Sequence, residues 1–490
     1  MWEKFFTDFS FMENPELSDL RQMAKKDEIP NRYGVPVYHS KIKSRSAKFT
    51  EYHYEITPDL ETLFQEVFQH YQSRKWIKVE RNIGQSPENS FRQLYIVPSE
   101  YARLAFMMTH NNFDPVGQKD PDIYIAAFPD WPDRRILVFP NLHFTMILGS
   151  DYYGESKMAG LRMAMHIMRE ERGGIGLHAG SKIYRVKNAQ GQLTERGALI
   201  FGLSGTGKTT ISVNSHNLVA PEGVEILQDD INMLTTKGNS YGTEKNFYVK
   251  TDSVSSTPEL QDACLAEDAI LENVYVSPEG EIDFDNMSIS TNGRAVINRR
   301  RIPNTSDRID LPQVNFFLFN TRRYDIPPVG KLTGPAQAAA FFMLGESTIT
   351  SADDPTRVGE TTRVVGFDPF IINKPEKSGN RLYEILSNHP IDVYIVNTGK
   401  IGGLDGIKIT PEVTLKIVEN IARGTIKWQY NEDLGYEIPV EVPGLDLSQF
   451  DPYKIYGKEE YKNMMEALRN DRRKHLQQFP DLYDQIKESI

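Results

Sequence analysis

The sequence has little cysteine and no long apolar run, and each absence excludes a class of protein. Cys264 is the single cysteine among 490 residues, so an intramolecular disulfide and a cysteine-based zinc cluster are both excluded. No stretch approaches the roughly 18 apolar residues of a membrane span, and residues 1–8 lack the apolar core of a secretory signal. We therefore expect a cytoplasmic protein that has no membrane partner.

Basic residues are also too few for a general nucleic-acid-binding surface. The chain has 56 lysines and arginines against 67 acidic residues, which gives a net charge of −11, whereas a protein that binds a polyanion normally carries a basic face. Hydrophobic residues make up 39% and charged residues 25% of the chain, as is usual for a globular enzyme. At this length we expect two large domains, and we expect no nucleic-acid partner.

The most informative motif lies at residues 202–210, which read Gly-Leu-Ser-Gly-Thr-Gly-Lys-Thr-Thr and match the phosphate-loop pattern G-x-x-x-x-G-K-[ST]. The apolar run 197–201 before it suits a buried strand, and residues 209–213 can open a helix. In such a loop, glycines turn backbone N–H groups toward a polyphosphate, Lys208 offers a cation to the outer phosphates, and Thr209 offers a hydroxyl to a divalent metal. The motif therefore predicts nucleoside triphosphate binding by Gly202, Leu203, Ser204, Gly205, Thr206, Gly207, Lys208, Thr209 and Thr210.

Two further features indicate a metal ion beside this loop. The apolar run 224–227 is followed closely by the acidic pair Asp229 and Asp230, and in phosphate-loop enzymes an acid at a strand end anchors the metal that bridges the phosphates. His178 lies upstream of the loop, and a neutral imidazole is a suitable ligand for Mn²⁺. Without the loop, each feature would be interpreted as structural. With it, these residues and Thr209 are the candidate metal ligands.

Hydrophobic periodicity favours an α/β fold with mixed sheets. Spacings of three and four predict helices over residues 60–72 and 157–170, and a charged helix is expected from about residue 458. Residues 1–60 show only weak periodicity, so we expect them to be helical or irregular. Short apolar runs predict strands at 123–128, 136–139, 144–148, 197–201, 224–227, 314–319 and 393–396.

A glycine pair divides the chain. Gly173 and Gly174 follow a predicted helix and precede the part that carries the loop and the acidic pair, and paired glycines mark a break in regular structure. We therefore expect an N-terminal domain at 1–174 and a C-terminal domain at 175–490.

The order of these motifs resembles that of the ATP-dependent phosphoenolpyruvate carboxykinases. The similar segments occur in family order from about residue 120 to about residue 455: Gly149–Lys157, His178, the loop at 202–210, Asp229–Asp230, Asp268–Val274, Ile282–Asp285, Asn292–Arg294, Pro327–Thr333, Val396–Gly399 and Ile438–Gly444. The loop alone would be generic, whereas the ordered series is specific. The resemblance implies the two-domain α/β fold of that family, with a substrate-side N-terminal domain and a phosphate loop in the C-terminal nucleotide domain.

The resemblance also implies an activity and its cofactors. Family members convert oxaloacetate and ATP into phosphoenolpyruvate, ADP and CO₂. By this resemblance His178 and Asp230 would hold Mn²⁺, Asp229 would act through metal-bound water, and Lys208 and Thr209 would hold the ATP phosphates and their Mg²⁺. We expect a monomer or a small homo-oligomer.

Four more residues receive roles from the resemblance alone. Tyr152 and Arg294 would face the acceptor and the transferred phosphoryl group, and Lys157 is a further candidate catalytic residue. Glu272 and Arg294 would be among the nucleotide contacts. Lys208, Arg294 and two metal ions would neutralise charge on both sides of the moving group, which is what phosphoryl transfer most requires.

The sequence departs from the family pattern at several positions, and two of these departures affect the expected metal and substrate contacts. The family has two consecutive lysines, of which the second is a metal ligand, whereas this chain reads Lys157-Met158, and a thioether is a poor ligand for hard Mn²⁺. Water or another lysine, for example Lys182, would have to replace it. The family arginine that binds the substrate carboxylate corresponds to Gln85, which cannot form the charged fork of arginine. Arg92 lies near Gln85 and is the candidate replacement.

These departures leave two alternatives to a carboxykinase. The first is a kinase of the same fold that phosphorylates another small molecule or a protein hydroxyl, which the changes at Met158 and Gln85 favour. The second is a nucleotide sensor without catalysis, which would not need His178, Asp229, Asp230 and Arg294.

Overall fold

A computed structural model describes residues 2–45, 47–117, 119–203, 205–349 and 356–490. Its α-helices are α1 (Lys4–Thr7), α2 (Leu17–Ala24), α3 (Pro58–Tyr71), α4 (Ala102–Asn111), α5 (Tyr153–Glu170), α6 (Lys208–Val213), α7 (Pro258–Cys264), α8 (Pro335–Leu344), α9 (Pro375–Asn388), α10 (Pro411–Arg423), α11 (Pro452–Tyr456), α12 (Lys458–Leu476) and α13 (Asp484–Lys487).

The strands are β1 (Ser10–Glu13), β2 (Val37–Tyr38), β3 (Thr50–Tyr52), β4 (Lys75–Ile83), β5 (Phe91–Pro98), β6 (Ile123–Phe128), β7 (Arg135–Phe139), β8 (Phe144–Leu148), β9 (Ile175–Lys187), β10 (Leu193–Gly202), β11 (Gly223–Gln228), β12 (Ile231–Leu234), β13 (Ser240–Gly242), β14 (Phe247–Lys250), β15 (Ile270–Glu272), β16 (Tyr275–Val276), β17 (Ile282–Asp283), β18 (Arg294–Ile297), β19 (Phe316–Thr321), β20 (Val329–Lys331), β21 (Glu346–Thr348), β22 (Thr361–Arg363), β23 (Asp392–Asn397), β24 (Lys400–Ile401), β25 (Ile407–Lys408), β26 (Lys427–Asn431) and β27 (Tyr436–Glu441).

Local sequence explains where two of the longer helices begin. Thr57 precedes α3 and Thr410 precedes α10, and each threonine side chain accepts an N–H of the first turn. A proline follows each threonine at the first helical position, where its missing N–H costs nothing. Among the described residues, no helix combines the length and the apolar character needed to cross a bilayer.

The chain forms two compact units. Unit 1 consists of Met1–Ile167 and Thr243–Ile309, and unit 2 consists of Met168–Gly242 and Asp310–Ile490. The segment 243–309 belongs to unit 1 because it forms the sheet β14-β18-β15-β2, whose last strand comes from the N-terminal part of the chain. The division of the chain into domains at residue 174 stays a prediction. It places the segment 243–309 in the C-terminal domain, whereas this segment belongs to unit 1.

Unit 1 contains a mixed sheet of order β1-β4-β5-β6-β8-β7-β3. One of its cores is mostly aromatic and includes Phe64, Trp76 and Phe128. The expectation that residues 1–60 are helical or irregular is wrong in part, since they supply β1 and β3 at the two edges of this sheet. These edge strands are short and largely exposed, so no alternating apolar pattern marks them in the sequence.

Unit 2 is built on a larger mixed sheet of order β13-β12-β9-β10-β19-β23-β20-β27-β26, with β11 also paired to β9. Strands β10, β19 and β23 are parallel neighbours. Leu199 and Phe201 belong to one buried core, and Ala198 and Ile200 belong to a second. Because alternate residues of a strand point to opposite faces, the run 197–201 is continuously apolar, as is typical of a strand covered on both sides.

The α/β class with mixed sheets is therefore confirmed. The predicted helices at 60–72 and 157–170 correspond to α3 and α5, and the charged helix from residue 458 corresponds to α12. The predicted strands at 123–128, 136–139, 144–148, 197–201, 224–227, 314–319 and 393–396 correspond to β6, β7, β8, β10, β11, β19 and β23.

We expect Phe201→Ala to lower the free energy of unfolding by about 3–5 kcal/mol, because it removes a fully buried ring from the strand that leads into the loop. Phe201 contacts the rings of Phe317, Phe319 and Phe367. Urea unfolding followed by circular dichroism measures the change. Tyr430→Ala on β26, where the side chain is 55% exposed, is the control and should change stability by less than about 0.5 kcal/mol. Equal effects of the two substitutions would contradict this placement of the core.

Candidate functional site

The phosphate loop connects β10 to α6 in unit 2. Gly207 precedes α6 with φ at +83°, a backbone conformation that favours glycine. The Thr206 hydroxyl donates to the carbonyl of Leu203 at 2.8 Å, and the Thr398 hydroxyl donates to the carbonyl of Thr206 at 2.8 Å. The loop is thus held from within and from the segment that follows β23. Ser204 and the side chain of Thr209, both predicted to bind nucleotide, lie outside the described residues.

Three predicted site residues meet beside this loop. Nε2 of His178 lies 2.9 Å from Oδ1 of Asp230, and Nζ of Lys208 lies 3.1 Å from the same Nε2 and 3.5 Å from the same Oδ1. Strand pairing explains the contact, because β12 pairs with β9 so that Ile231 lies opposite His178. Asp229 and Asp230 are the two residues that connect β11 to β12. Lys208 reaches both partners from the first position of α6.

Hydrogen bonding assigns the proton on His178. Its Nδ1 lies 2.8 Å from the carbonyl oxygen of Phe367, which can only accept, so Nδ1 carries the hydrogen in the neutral ring. The lone pair of Nε2 then faces Asp230 and Lys208. A histidine that donates through one nitrogen to a carbonyl while the other nitrogen faces a carboxylate is oriented as metal-binding histidines are.

His178 and Asp230 offer one nitrogen and one oxygen donor, which are suitable ligands for a divalent cation such as Mn²⁺. The described residues include no cluster of three or more histidine, cysteine, aspartate or glutamate side chains arranged to hold a metal. Further ligands would be water or oxygen atoms of the substrates.

Lys182 does not replace the lysine that Met158 displaces. Its side chain is fully buried, and its Nζ donates to the carbonyls of Ile211 and Asn214 at the end of α6. Burial lowers the pKa of Lys182. The side chain closes the C-terminal end of the loop helix, so the suggestion that Lys182 serves as a metal ligand is wrong.

Unit 1 holds a second cluster of predicted residues. Asn292 connects two of them, since its Nδ2 donates to the Tyr152 hydroxyl at 3.0 Å and its Oδ1 accepts from Nη2 of Arg294 at 2.8 Å. The Arg294 guanidinium also lies 5.4 Å from the centroid of the Tyr248 ring. Arg294 opens β18 and pairs with Glu272 of β15.

Tyr248 is a central residue of this cluster that the sequence did not reveal. Two cations lie over its ring: Nζ of Lys157 is 5.0 Å from the ring centroid, and the Arg294 guanidinium is 5.4 Å from it. Its hydroxyl donates to the Tyr152 hydroxyl at 3.3 Å. Residues 247–249 are a short apolar run that gives a weak signal for a strand, but nothing in it singles out this tyrosine.

Lys157 and Met158 are adjacent on α5 but have different surroundings. Lys157 is 3% exposed, and its Nζ lies 3.2 Å from Oε1 of Glu244. That oxygen also accepts from Nδ2 of Asn111 at 2.7 Å. Met158 is 5% exposed and belongs to the interior of unit 1.

Glu272 is fully buried, which argues against its predicted contact with the nucleotide. Its Oε1 accepts from Nη1 of Arg103 at 3.1 Å and from the N–H of Tyr153 at 3.0 Å. Arg103 also binds the carboxylate of Asp151 at 2.9 Å. Burial raises the pKa of Glu272 to about 7, although Arg103 acts in the opposite direction. The carboxyl group therefore fixes the backbone of Tyr153, while the backbone of Glu272 pairs with that of Arg294.

Neither Gln85 nor Arg92 is placed as a carboxylate-binding fork. Nε2 of Gln85 donates to the carbonyl of Asp307 at 3.4 Å. Arg92 is buried, and its guanidinium binds Asn82 and the carbonyls of Val116, Gly117 and Lys119. Since these bonds engage Nε and both terminal nitrogens, the suggestion that Arg92 replaces the family arginine is wrong.

The fold is of the α/β class with mixed sheets, and the segment between β10 and α6 carries the phosphate-loop sequence motif. A sequence model described as phosphoenolpyruvate carboxykinase matches residues 44–448. The ATP-dependent phosphoenolpyruvate carboxykinase of Aeropyrum pernix is 39% identical over 449 residues, which are 91% of this chain and 90% of that protein. The chain belongs to the ATP-dependent phosphoenolpyruvate carboxykinase family.

More distant relatives carry the same name. The protein from Brucella melitensis is 28% identical over 74% of this chain and 66% of its own length, and the protein from Staphylococcus aureus is 29% identical over 70% and 63%. Membership of the family implies the use of ATP, a divalent metal ion and a small-molecule substrate.

We expect Asp230→Asn to weaken Mn²⁺ binding by at least about tenfold, because loss of even an outer-shell partner of a metal site costs 10- to 100-fold. Asp229→Asn is the matched control, since it removes the neighbouring charge, and its effect should be smaller. Electron paramagnetic resonance of free Mn²⁺ during titration measures both dissociation constants. Equal and mild effects of the two substitutions would contradict the assignment of Asp230 as a ligand.

The raised pKa of Glu272 gives a dependence of stability on pH. The carboxyl group binds its proton more tightly in the folded chain, with a pKa of about 7, than at its ordinary value of 4.5. Its stabilising contribution is therefore complete below pH 4.5 and is lost as the pH rises through 7. Relative to Glu272→Gln, the free energy of unfolding of the wild type should fall by about 1–3 kcal/mol between pH 5 and pH 8.

Urea unfolding at several pH values in this range measures the difference. Glu66→Gln on the exposed face of α3 is the control and should show no such trend. A constant difference between wild type and Glu272→Gln across the range would show that Glu272 does not take up a proton there.

Proposed function

We propose that this chain converts oxaloacetate and ATP into phosphoenolpyruvate, ADP and CO₂. The observation that carries the proposal is the meeting of Nε2 of His178, Oδ1 of Asp230 and Nζ of Lys208 within 3.5 Å beside the phosphate loop. In this arrangement His178 and Asp230 offer a nitrogen and an oxygen donor to a metal ion, and Lys208 offers a cation to phosphate. Membership of the family supports the same reaction.

In unit 2 we assign Lys208 to the outer phosphates of ATP and His178 and Asp230 to Mn²⁺. Thr209 and Asp229 are assigned to the Mg²⁺ that accompanies ATP, Asp229 through water. The metal ions supply positive charge that stabilises developing negative charge on oxygen. Lys208 adds a mobile cation, and its contact with Asp230 keeps that cation at the loop before the nucleotide binds.

In unit 1 we assign Arg294 to the anionic groups of the acceptor and the transferred phosphoryl group. Asn292 accepts from Nε and Nη2 of Arg294, so the planar, rigid guanidinium is held in one orientation. Tyr152 offers a hydroxyl whose orientation is set by Asn292 and Tyr248. These residues bind and orient, which is the main task of a protein in phosphoryl transfer.

The reaction balances without any further reagent. The bond between C3 and the C4 carboxylate of oxaloacetate breaks and releases CO₂, and its electron pair forms the enolate of pyruvate. The enolate oxygen then attacks the γ-phosphorus of ATP, and the bond from that phosphorus to the bridging oxygen of ADP breaks.

A kinase of the same fold that acts on another hydroxyl is the second candidate. Two observations favour it: Met158 is buried where the family has a metal-ligand lysine, and Gln85 binds a backbone carbonyl where the family has a substrate-binding arginine.

The cytoplasmic location and the monomeric or small homo-oligomeric state stay predictions.

We expect the wild-type chain to form phosphoenolpyruvate from oxaloacetate and ATP with Mg²⁺ and Mn²⁺, and we expect Lys208→Ala to lower kcat by at least about 100-fold, because it removes a cation placed for the transition state. A direct chromatographic assay of phosphoenolpyruvate measures the product. Lys427→Ala on β26, where the side chain is 70% exposed, is the control and should retain activity.

Absence of product from the wild type, with ATP still bound, would overturn the carboxykinase assignment. Release of ADP with another small hydroxyl compound, abolished by Lys208→Ala, would then support the kinase.

A further inference from the structure

Arg322 lies at the edge of the sheet where the phosphate loop begins. It directly follows β19, and the parallel register of β19 with β10 places Asn320 opposite Gly202, the first glycine of the loop. Because parallel strands end at the same edge of a sheet, the residues after Asn320 lie beside the residues after Gly202.

The guanidinium of Arg322 lies against the loop itself. A Cβ atom built on Gly205 would clash with Nη2 of Arg322 and would lie 3.2 Å from its Cζ. Gly205 also has φ at +74°, so both its conformation and the close approach of Arg322 favour glycine there.

The main chain of Arg322 is fixed on both sides. Its N–H donates to the Ser347 hydroxyl at 3.2 Å, and its carbonyl accepts from the N–H of Thr348 at 2.8 Å. A Cβ atom built on Gly399 would lie 3.1 Å from the Cβ atom of Arg322, so Gly399 packs closely against this residue. The direction of the side chain toward Gly205 therefore follows from an anchored backbone.

Arg323, the next residue, has a different environment. It is buried and forms ion pairs with Asp325 at 2.6 Å and with Glu346 at 3.5 Å. Arg322 is only partly buried. Of two adjacent arginines, one neutralises the carboxylates of Asp325 and Glu346, and the other lies against the phosphate loop.

We propose that Arg322 is a second cation of the phosphate loop, which binds the phosphates of the nucleoside triphosphate together with Lys208. This inference rests on the proposed function for the identity of the ligand. Guanidinium forms bidentate, charge-assisted hydrogen bonds to phosphate that an ammonium group cannot form. Arg322 would therefore add affinity that depends on the number of phosphates.

Isothermal titration of ATP, ADP and AMP in the presence of Mg²⁺ tests the inference. We expect Arg322→Gln to raise the dissociation constants of ATP and ADP by roughly 10- to 100-fold, the usual worth of a hydrogen bond between charged groups, and that of AMP by less than about twofold. Arg322→Lys keeps the charge and should show a smaller loss for ATP. Lys427→Gln on β26 is the control and should bind all three nucleotides as the wild type does.

Lys208→Gln separates failure of this inference from failure of the proposed function. If Lys208→Gln weakens ATP binding and Arg322→Gln does not, the assignment of Arg322 is wrong and the loop site stands. If neither substitution weakens ATP binding, both assignments are wrong. An equal loss for AMP and ATP in Arg322→Gln would also overturn the inference, because it would indicate contact with the nucleoside or damage to the fold.

Discussion

The parallel pairing of β10 with β19 is the constraint on which the candidate nucleotide site depends. It brings the end of β10, where the loop begins, to the same edge as Arg322, and the pairing of β19 with β23 adds Thr398 at that edge. Antiparallel pairing of β9 with β10 and with β12 then places His178 opposite Ile231 and beside Asp230. Both faces of the central strands are buried in apolar cores, so a one-residue slip would exchange the two faces and is strongly disfavoured.

A buried carboxyl group has a lowered pKa in unit 2 and a raised pKa in unit 1. In unit 2, Glu346 is buried, and although burial acts the other way, Arg472 and Arg323 lower its pKa to about 2. In unit 1, Glu272 has Arg103 as a partner but Asp151 as a negative neighbour, and its pKa is raised to about 7. The first carboxylate stays charged and fixes structure at any ordinary pH. The second gains or loses a proton near neutrality, and its residue pairs with Arg294 in the ladder of β15 and β18.

Local motifs in the sequence were sufficient for the loop and for most central strands, because these depend on short apolar runs and on fixed spacings. The pairing of His178 with Asp230 was expected only from the resemblance to the family. The contribution of residues 10–13 and 50–52 to a sheet was missed, since exposed edge strands carry no alternation. Tyr248 and Arg103 were missed because their roles arise from packing between segments far apart in the chain. Glu272 and Lys182 show the converse: each has a chemically suitable side chain, and each is buried in a structural role. Arg322 was missed for the same reason as Tyr248, since only the structure shows that its strand lies next to the strand before the loop.

Diffraction from crystals grown with Mn²⁺ and a non-hydrolysable ATP analogue, recorded with anomalous scattering at the manganese edge, tests the central claim most directly. We expect a manganese peak about 2.2 Å from both Nε2 of His178 and a carboxylate oxygen of Asp230, with Nζ of Lys208 turned toward the phosphates. A manganese ion bound elsewhere, with the contact between His178 and Asp230 unchanged, would contradict the assignment of these residues as the metal site.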